Sequence, residues 1–366
     1  MKRFLILTVI VILISGCQNE QESVKNKVQD KGPSDIDVTE RTVKSEKIVD
    51  NKTEYILPYK NIINGFFYNN IYYGSFEKEN GEVCLIGFNV KTKEEELIYK
   101  SEFKESALQN VLSNENALVF LDSTVDGYYT KLYAYNKETK EKSQLTESDS
   151  DYLTLDIPTL YNEYVSWVYL DTSQGGGKEK AIVQLHNLNS KETIDVDTIN
   201  EFGMHNVFVS MDDNKLVWTD TVNDKGVYKV YDLHSKKISI FDSPFKYPGY
   251  SKIDNDKIYA FHFNDKSDWI NKEFGYFDIN KKEYSPFFSK EKNEYLDYFA
   301  VNNQNVTITT DENHIKTFLS NDQLPSKDIE VENTDIIEQP AYNQDGDMFY
   351  VYRNEKEETV LVVVNK

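Results

Sequence analysis

Cysteine is almost missing from this chain: its 366 residues hold two, Cys17 and Cys84. Two distant cysteines exclude the disulfide framework of a small secreted scaffold. Histidine is scarce as well. None of His186, His205, His234, His262 and His314 is at metal-ligand spacing from another, and no Cys/His pair forms a zinc pattern. No metal and no cofactor is expected. The nucleophile elbow Gly-x-Ser-x-Gly is missing, which excludes an α/β-hydrolase site. Basic residues are outnumbered, 41 Lys and Arg against 62 Asp and Glu, for a net charge of −21. A chain so acidic is repelled by polyanions, so nucleic acid is excluded as a partner. Helical periodicity is hard to find anywhere.

What the sequence has instead is recurrence. The turn Asp232-Leu233-His234-Ser235-Lys236 has relatives opening at Asn89, Asn136, Asn187 and Asp278, in steps of 47, 51, 45 and 46 residues. Asn or Asp opens each because its side chain bonds its own backbone two residues on and tolerates unusual φ. Before each turn runs an alternating apolar stretch such as Val227-Tyr228-Lys229-Val230-Tyr231, the pattern of a half-buried strand. Upstream lies a polar cluster followed by a strongly apolar strand. Asn69-Asn70 before Ile71-Tyr72-Tyr73 is one copy and Asp213-Asn214 before Lys215-Leu216-Val217-Trp218 another; seven copies fit.

A period in the mid-forties with about four strands per unit marks propeller blades, which bury their faces only by stacking around an axis. The 20 Phe and 26 Tyr supply the large apolar areas such stacking needs. The pattern predicts an all-β protein, a seven-bladed β-propeller of four-stranded blades, with six or eight blades as alternatives. Val360 to Val364 reads as the third strand of the last blade, which leaves that blade without an outermost strand. Thr53 to Leu57 has no blade of its own. It is expected to pair there and close the ring, removing two exposed sheet edges.

The N-terminus reads differently. Met1-Lys2-Arg3 is basic, and Phe4 to Ile14 is apolar but too short to span a bilayer comfortably, as in a signal peptide over residues 1–16. The run Leu13-Ile14-Ser15-Gly16-Cys17 resembles a bacterial lipobox. The resemblance implies a diacylglyceryl group on Cys17, cleavage before it, and palmitate-type acyl chains holding the protein to the membrane. Residues 17–52 lack aromatic residues and are rich in charge, so they read as a flexible tether to a propeller over 53–366. Loss of Lys2 and Arg3 leaves 39 basic residues against 62 acidic, net −23. Cys84, within Val83-Cys84-Leu85-Ile86, is expected to be a buried small hydrophobe.

Candidate sites are sparse. Gly175-Gly176-Gly177-Lys178 lacks a phosphate loop's first glycine, has Glu179 where Ser or Thr is needed, and reads as a loop. Asp345-Gly346-Asp347 lacks the spaced carboxylates of a calcium loop and is explained by turn chemistry. The two repeated turns are expected on one tight face, leaving variable loops on the other, where function concentrates. Trp269, in the polar loop 264–271, and Tyr128, beside Tyr129, are binding candidates there. At the starts of the innermost strands, Asn61, Gln109, Asp156, Asn206, Ser251, Asp297 and Gln339 fall in rough register to ring the mouth of a central channel. Asp156 and Asp297 are candidates for a general acid/base pair.

Together, Cys17 and the repeats resemble lipoproteins carrying TolB-like propellers, without a Trp-Asp or double-Gly blade motif that assigns a subfamily. The resemblance implies a lipid-anchored scaffold with an interaction role on the outer face of the membrane. The lack of disulfides and the abundant Lys, Asn and Ile fit a Gram-positive-like host, and a monomer is expected. The scaffold is expected to bind an envelope protein or ligand without catalysis. The alternatives are a propeller enzyme acting on a carbohydrate or peptide at the channel mouth, or a cell-wall glycan binder using Trp269.

Overall fold

The Asn/Asp pairs that precede the apolar runs of the first, fourth and fifth blades form two-residue hairpins. In the computed structural model both central residues are left-handed in Asn69-Asn70 (φ 49° and 62°), Asp213-Asn214 (44° and 59°) and Asn255-Asp256 (47° and 61°). This is type I′ geometry, whose twist matches the strands it joins. The downstream turns are held by their opening side chain. Asn89 Oδ1 accepts the N–H groups of Lys91 and Thr92 at 2.9 and 3.0 Å, and Asn136, Asn187 and Asp278 repeat the pattern. The unusual φ expected at the opening residue falls instead on the fifth. Lys93, Lys140, Lys191, Lys236 and Lys282 have φ between 56° and 66°. Each donates its N–H to the opening residue's carbonyl at 2.7–2.9 Å, and closing that bond turns the chain left-handed there.

The structure describes residues 47–49, 51–59, 63–78, 80–148, 157–173, 179–203, 205–265, 272–287, 296–303, 305–310, 314–319, 327–330, 335–343 and 345–365. All regular structure among them is β-strand. Residues 63–100, 106–148, 159–199, 210–242, 247–286 and 296–330 each form a four-stranded antiparallel sheet, with strands in chain order from the axis outward. A seventh sheet takes three strands from 335–364, and its fourth is Lys52–Ile56, paired with Thr359–Val364 in the register Thr53↔Val363 and Tyr55↔Leu361. Each innermost strand lies against the next, and the seventh lies against the first. The ring is the expected seven-bladed β-propeller, closed by the N-terminal strand. One strand was not expected: Lys47–Val49 pairs outside Lys52–Ile56, so the sheet begins ahead of position 53. The leader, Cys17 and the tether up to residue 46 lie outside the described residues.

Each of the seven seams between neighbouring blades has its own buried cluster. Trp167 packs with Val119, Leu121 and Leu132 of the second blade, and Trp218 with Val168, Leu170 and Val183 of the third. Val217, next to Trp218, faces the opposite way, toward Ile253, Ile258 and Ala260 of the fifth. The period of two thus buries both faces of a blade, which explains why the second strands read as unbroken apolar runs. Cys84 is fully buried in the third strand of the first blade, Val83–Asn89, as expected.

Buried aspartates tie two crossovers down. Asp122 accepts the Tyr99 hydroxyl and the Ser101 hydroxyl, each at 2.7 Å, where the chain leaves the first blade. Asp220, at the same place in the fourth blade, accepts the Asn200 N–H at 2.9 Å and pairs with buried Lys229 at 2.8 Å.

Candidate functional site

The regular ladder breaks along five of the innermost strands, as it does in three outer strand pairs. Register shifts interrupt the innermost strands at Ile63/Phe66, Gln109/Leu112, Gly249/Lys252, Leu296/Tyr298 and Glu338/Ala341. Bulges re-aim side chains and gather near functional sites. Four of the residues expected around the channel mouth, Gln109, Ser251, Asp297 and Gln339, sit at these bulges. Ser251 is buried, and its Oγ and the Gln339 Oε1 are both enclosed without a hydrogen-bond partner. Asn206 has a structural role: its amide accepts the Gly203 N–H at 2.9 Å and donates to the Glu201 carbonyl at 2.8 Å, bracing a crossover. Asn61 and Asp156 lie outside the described residues, and Asp297 is described by its backbone alone, on Leu296–Asn302. The Asp156–Asp297 pair thus falls outside the described side chains.

The carboxylate that sequence reading passed over is Glu338, one residue before Gln339. Its Oε1 accepts the Gly65 N–H at 2.6 Å and the Tyr72 hydroxyl at 2.7 Å, joining the last blade to the first. Its Oε2 is enclosed and unpartnered. Burial pushes its pKa up to about 7, against the pull of the two donors, and burial and the adjacent carboxylate raise the Tyr72 phenol well above its ordinary value. Gly65 permits the contact. A Cβ there would stand 2.3 Å from the Tyr72 ring and 2.6 Å from the Tyr73 carbonyl. The signal available in sequence was one acidic residue in the otherwise uncharged run Ile336-Ile337-Glu338-Gln339-Pro340.

Among the described residues, two clefts open on the face of the repeated turns, opposite the variable face to which sequence reading pointed. Two-residue turns are too short to roof the seam between neighbouring blades, and the seams on both sides of the first blade stay open. The cleft toward the last blade, about 300 Å³, is lined by Tyr55, Asn69, Lys91, Asp345 and Asp347. Asp345-Gly346-Asp347 itself acts as a turn: Gly346 has φ +83° and the Asp347 N–H is held by Asn343 at 2.9 Å. The cleft toward the second blade, about 310 Å³, is lined by Tyr68, Tyr73, Tyr135, Lys137, Lys140 and Glu96, among others.

Lys137 breaks the repeat. The residue after the opening Asn or Asp is Val90, Leu188, Leu233 or Ile279 in the other four turns. Here an ammonium donates to the Ser113 Oγ at 2.7 Å and the Asn114 carbonyl at 2.5 Å. It lies 4.6 Å from the Tyr68 ring centre and 4.7 Å from that of Tyr73. Burial, with a smaller push from Lys140, lowers its pKa to about 8. Lys140 is itself paired with Glu96 at 2.5 Å.

On the variable face, Tyr128 sits at the tip of the second blade's central hairpin. Its ring is edge-on to Tyr129 with centroids 4.7 Å apart, and its N–H is held by Asp126 at 3.0 Å. Trp269 lies outside the described residues, as does most of the loop 264–271. Among the described residues no group of three or more His, Cys, Asp or Glu gathers as a metal centre.

No family model matches the chain, and no curated protein matches it. Solved structures do. The propeller domain of the Trilobed protease from Pyrococcus furiosus, described as having an open velcro topology, aligns with a TM-score of 0.59 at 10% identity, over 83% of this chain and 93% of that one. A prolyl endopeptidase aligns with a TM-score of 0.55 at 10% identity, over 88% of this chain and 50% of its own. The computationally designed Ika8 protein aligns at 0.54 and 11% identity, over 87% and 95%. At such identities the likeness is one of fold alone, and that fold is the β-propeller.

Proposed function

We propose that the chain is a lipid-anchored, extracytoplasmic propeller that binds a protein or small ligand in the cell envelope without turning it over. The observation that carries the binding reading is the pair of open clefts flanking the first blade, walled by tyrosines on strands and by asparagine and lysine in the adjoining turns. The anchoring reading rests on Leu13-Ile14-Ser15-Gly16-Cys17 and the charged stretch after it. Crosslinking in intact cells with the anchored protein, followed by identification of the captured partner, tests the binding. A discrete partner is expected, and recovery of the protein alone from every crosslinker would count against the reading. Cys17→Ala should release the protein or leave it unprocessed, and lipid labelling of that variant at the wild-type level would overturn the anchor.

A second reading, chemistry on a carbohydrate or peptide at the axis, is favoured by Glu338 alone, whose enclosed carboxyl titrates near neutrality. Peptidases are among the proteins whose propellers align with this one. Under this reading Glu338→Gln abolishes turnover of a peptide or glycan substrate while the domain stays folded.

A further inference from the structure

We infer that the cleft between the first and second blades is a binding site for a small carboxylate with a flat apolar face, the carboxylate meeting Lys137 and the flat face lying on the tyrosines. The inference rests on the binding reading above and names the ligand class of one of its clefts.

The first argument comes from the repeat. At the position of Lys137 the other turns carry an aliphatic residue, and Val90 and Leu233 are buried there. Blade packing therefore requires no amine at this position. The second argument is charge. Lys137 has no carboxylate partner among the described residues, whereas its neighbour Lys140 is matched by Glu96. An ammonium without a counter-ion, in a chain of net charge −21, is an unusual residue to leave half-buried. Two of its three hydrogens are used on Ser113 and Asn114, and the third is free for a ligand. The third argument is shape. Partly exposed Tyr68, with the small exposed parts of Tyr73 and Tyr135 (5% and 6%) and with Ile71 and Ile98, gives the cleft aromatic and aliphatic walls, and about 310 Å³ suits a molecule at the small end of the ligand range. Glu115, exposed at the rim, disfavours a ligand of higher negative charge.

A free small acid and the C-terminus of a peptide present the same chemistry, so two matched probe pairs are needed. One is N-benzoylglycine against its primary amide, and the other Ala-Ala-Phe with a free against an amidated C-terminus. Binding is followed by isothermal titration on the folded protein, wild type and Lys137→Met. Methionine is apolar, like the residues at this position in the other turns, so the variant is expected to stay folded, with a melting temperature lowered by loss of the bonds to Ser113 and Asn114. The acid of at least one pair should bind at least tenfold more tightly than its amide, and Lys137→Met should remove that preference. Which pair responds identifies the source. Binding at pH 8.5 should also take up protons, because an anion beside Lys137 restores its charge. Equal binding of acid and amide in both pairs, or an acid preference that survives in Lys137→Met, would overturn the proposal. Either result leaves the crosslinking test of the broader binding reading standing, since that test does not depend on this cleft.

Discussion

Glu338 of the last blade accepts the Tyr72 hydroxyl of the first at 2.7 Å, across a sequence separation of 266 residues. The bond spans the seam at which the ring closes, and its acceptor is a carboxyl raised by burial to about 7 from 4.5. A raised acid binds its proton more tightly in the folded state. Its contribution is complete below about pH 4.5 and is lost as the pH rises through 7. The size of the effect is roughly 3 kcal/mol, at 1.4 kcal/mol per pK unit. Urea unfolding at pH 5 and pH 8 should therefore show wild type less stable at the higher pH. Glu338→Gln, which stays neutral, should lose most of that difference. An unchanged pH difference in the variant would place the titration elsewhere.

His262 works in the opposite direction. It is buried among Phe245, Tyr284 and Tyr228, and the Tyr228 hydroxyl lies 2.6 Å from its Nε2. Burial lowers its pKa to about 3 from 6.5. A depressed base favours the neutral form in the fold, so its contribution is present above pH 6.5 and is lost as the pH falls through 3. The ceiling is roughly 4–5 kcal/mol. Between about pH 4.5 and 6.5 the two groups oppose each other, and below that the histidine dominates. His262→Phe should cost about 1–3 kcal/mol at pH 7 through the lost bond to the buried Tyr228 hydroxyl. It should also unfold at a lower pH than wild type once both curves are scaled to their stability at pH 7. Coincident scaled acid-unfolding curves for the two proteins would contradict the assignment.

The closing strand carries a third expectation. Removing residues up to 46 leaves both N-terminal strands of the last blade in place and should hardly move the melting temperature. Removing residues up to 57 deletes Lys52–Ile56 and the buried Leu57, exposing the Thr359–Val364 edge along its length. Loss of Leu57 alone should cost about 1.5–3 kcal/mol of burial, before the ladder is counted. A lowered melting temperature and a tendency to associate through the open edge are expected. Thermal melts and light scattering on the two truncations decide the matter.

The blades were legible because their determinants are local and repeated. Asn69-Asn70 and Asp213-Asn214 announce type I′ turns, and Val217 beside Trp218 announces a strand buried on both sides. The closing strand was legible as a remainder, a strand pattern with no blade to join. Glu338 was not legible, since its partners Gly65 and Tyr72 come from the other end of the domain and no spacing encodes them. The clefts were hidden for a related reason. A turn that is short in sequence looks closed, yet the space it leaves between blades depends on the neighbour's side chains. Lys137 is the intermediate case. Its departure from Val90, Leu188, Leu233 and Ile279 is visible in the aligned repeats, but its place between Tyr68 and Tyr73 is not.

The repeated turn itself gives a prediction in which two changes act with opposite signs. In Asp232-Leu233-His234-Ser235-Lys236 the Asp232 carboxylate accepts the Ser235 N–H at 2.6 Å, which holds its pKa below the usual carboxylate range. Asp232→Ala deletes that acceptor and should destabilise the domain by about 1 kcal/mol. Lys236 is exposed and left-handed, at φ 56°. A side chain in that region costs about 1–2 kcal/mol, whereas glycine adopts it freely at an entropic cost of roughly 0.5–1 kcal/mol. Lys236→Gly should therefore stabilise the domain, by about 0.5 kcal/mol. The same pair of signs is expected for Asn136→Ala and Lys140→Gly, reduced in the second case by loss of the ion pair to Glu96. Chemical denaturation of the four variants measures each sign. A loss of stability in Lys236→Gly would mean that the lysine side chain contributes more than its backbone strain costs.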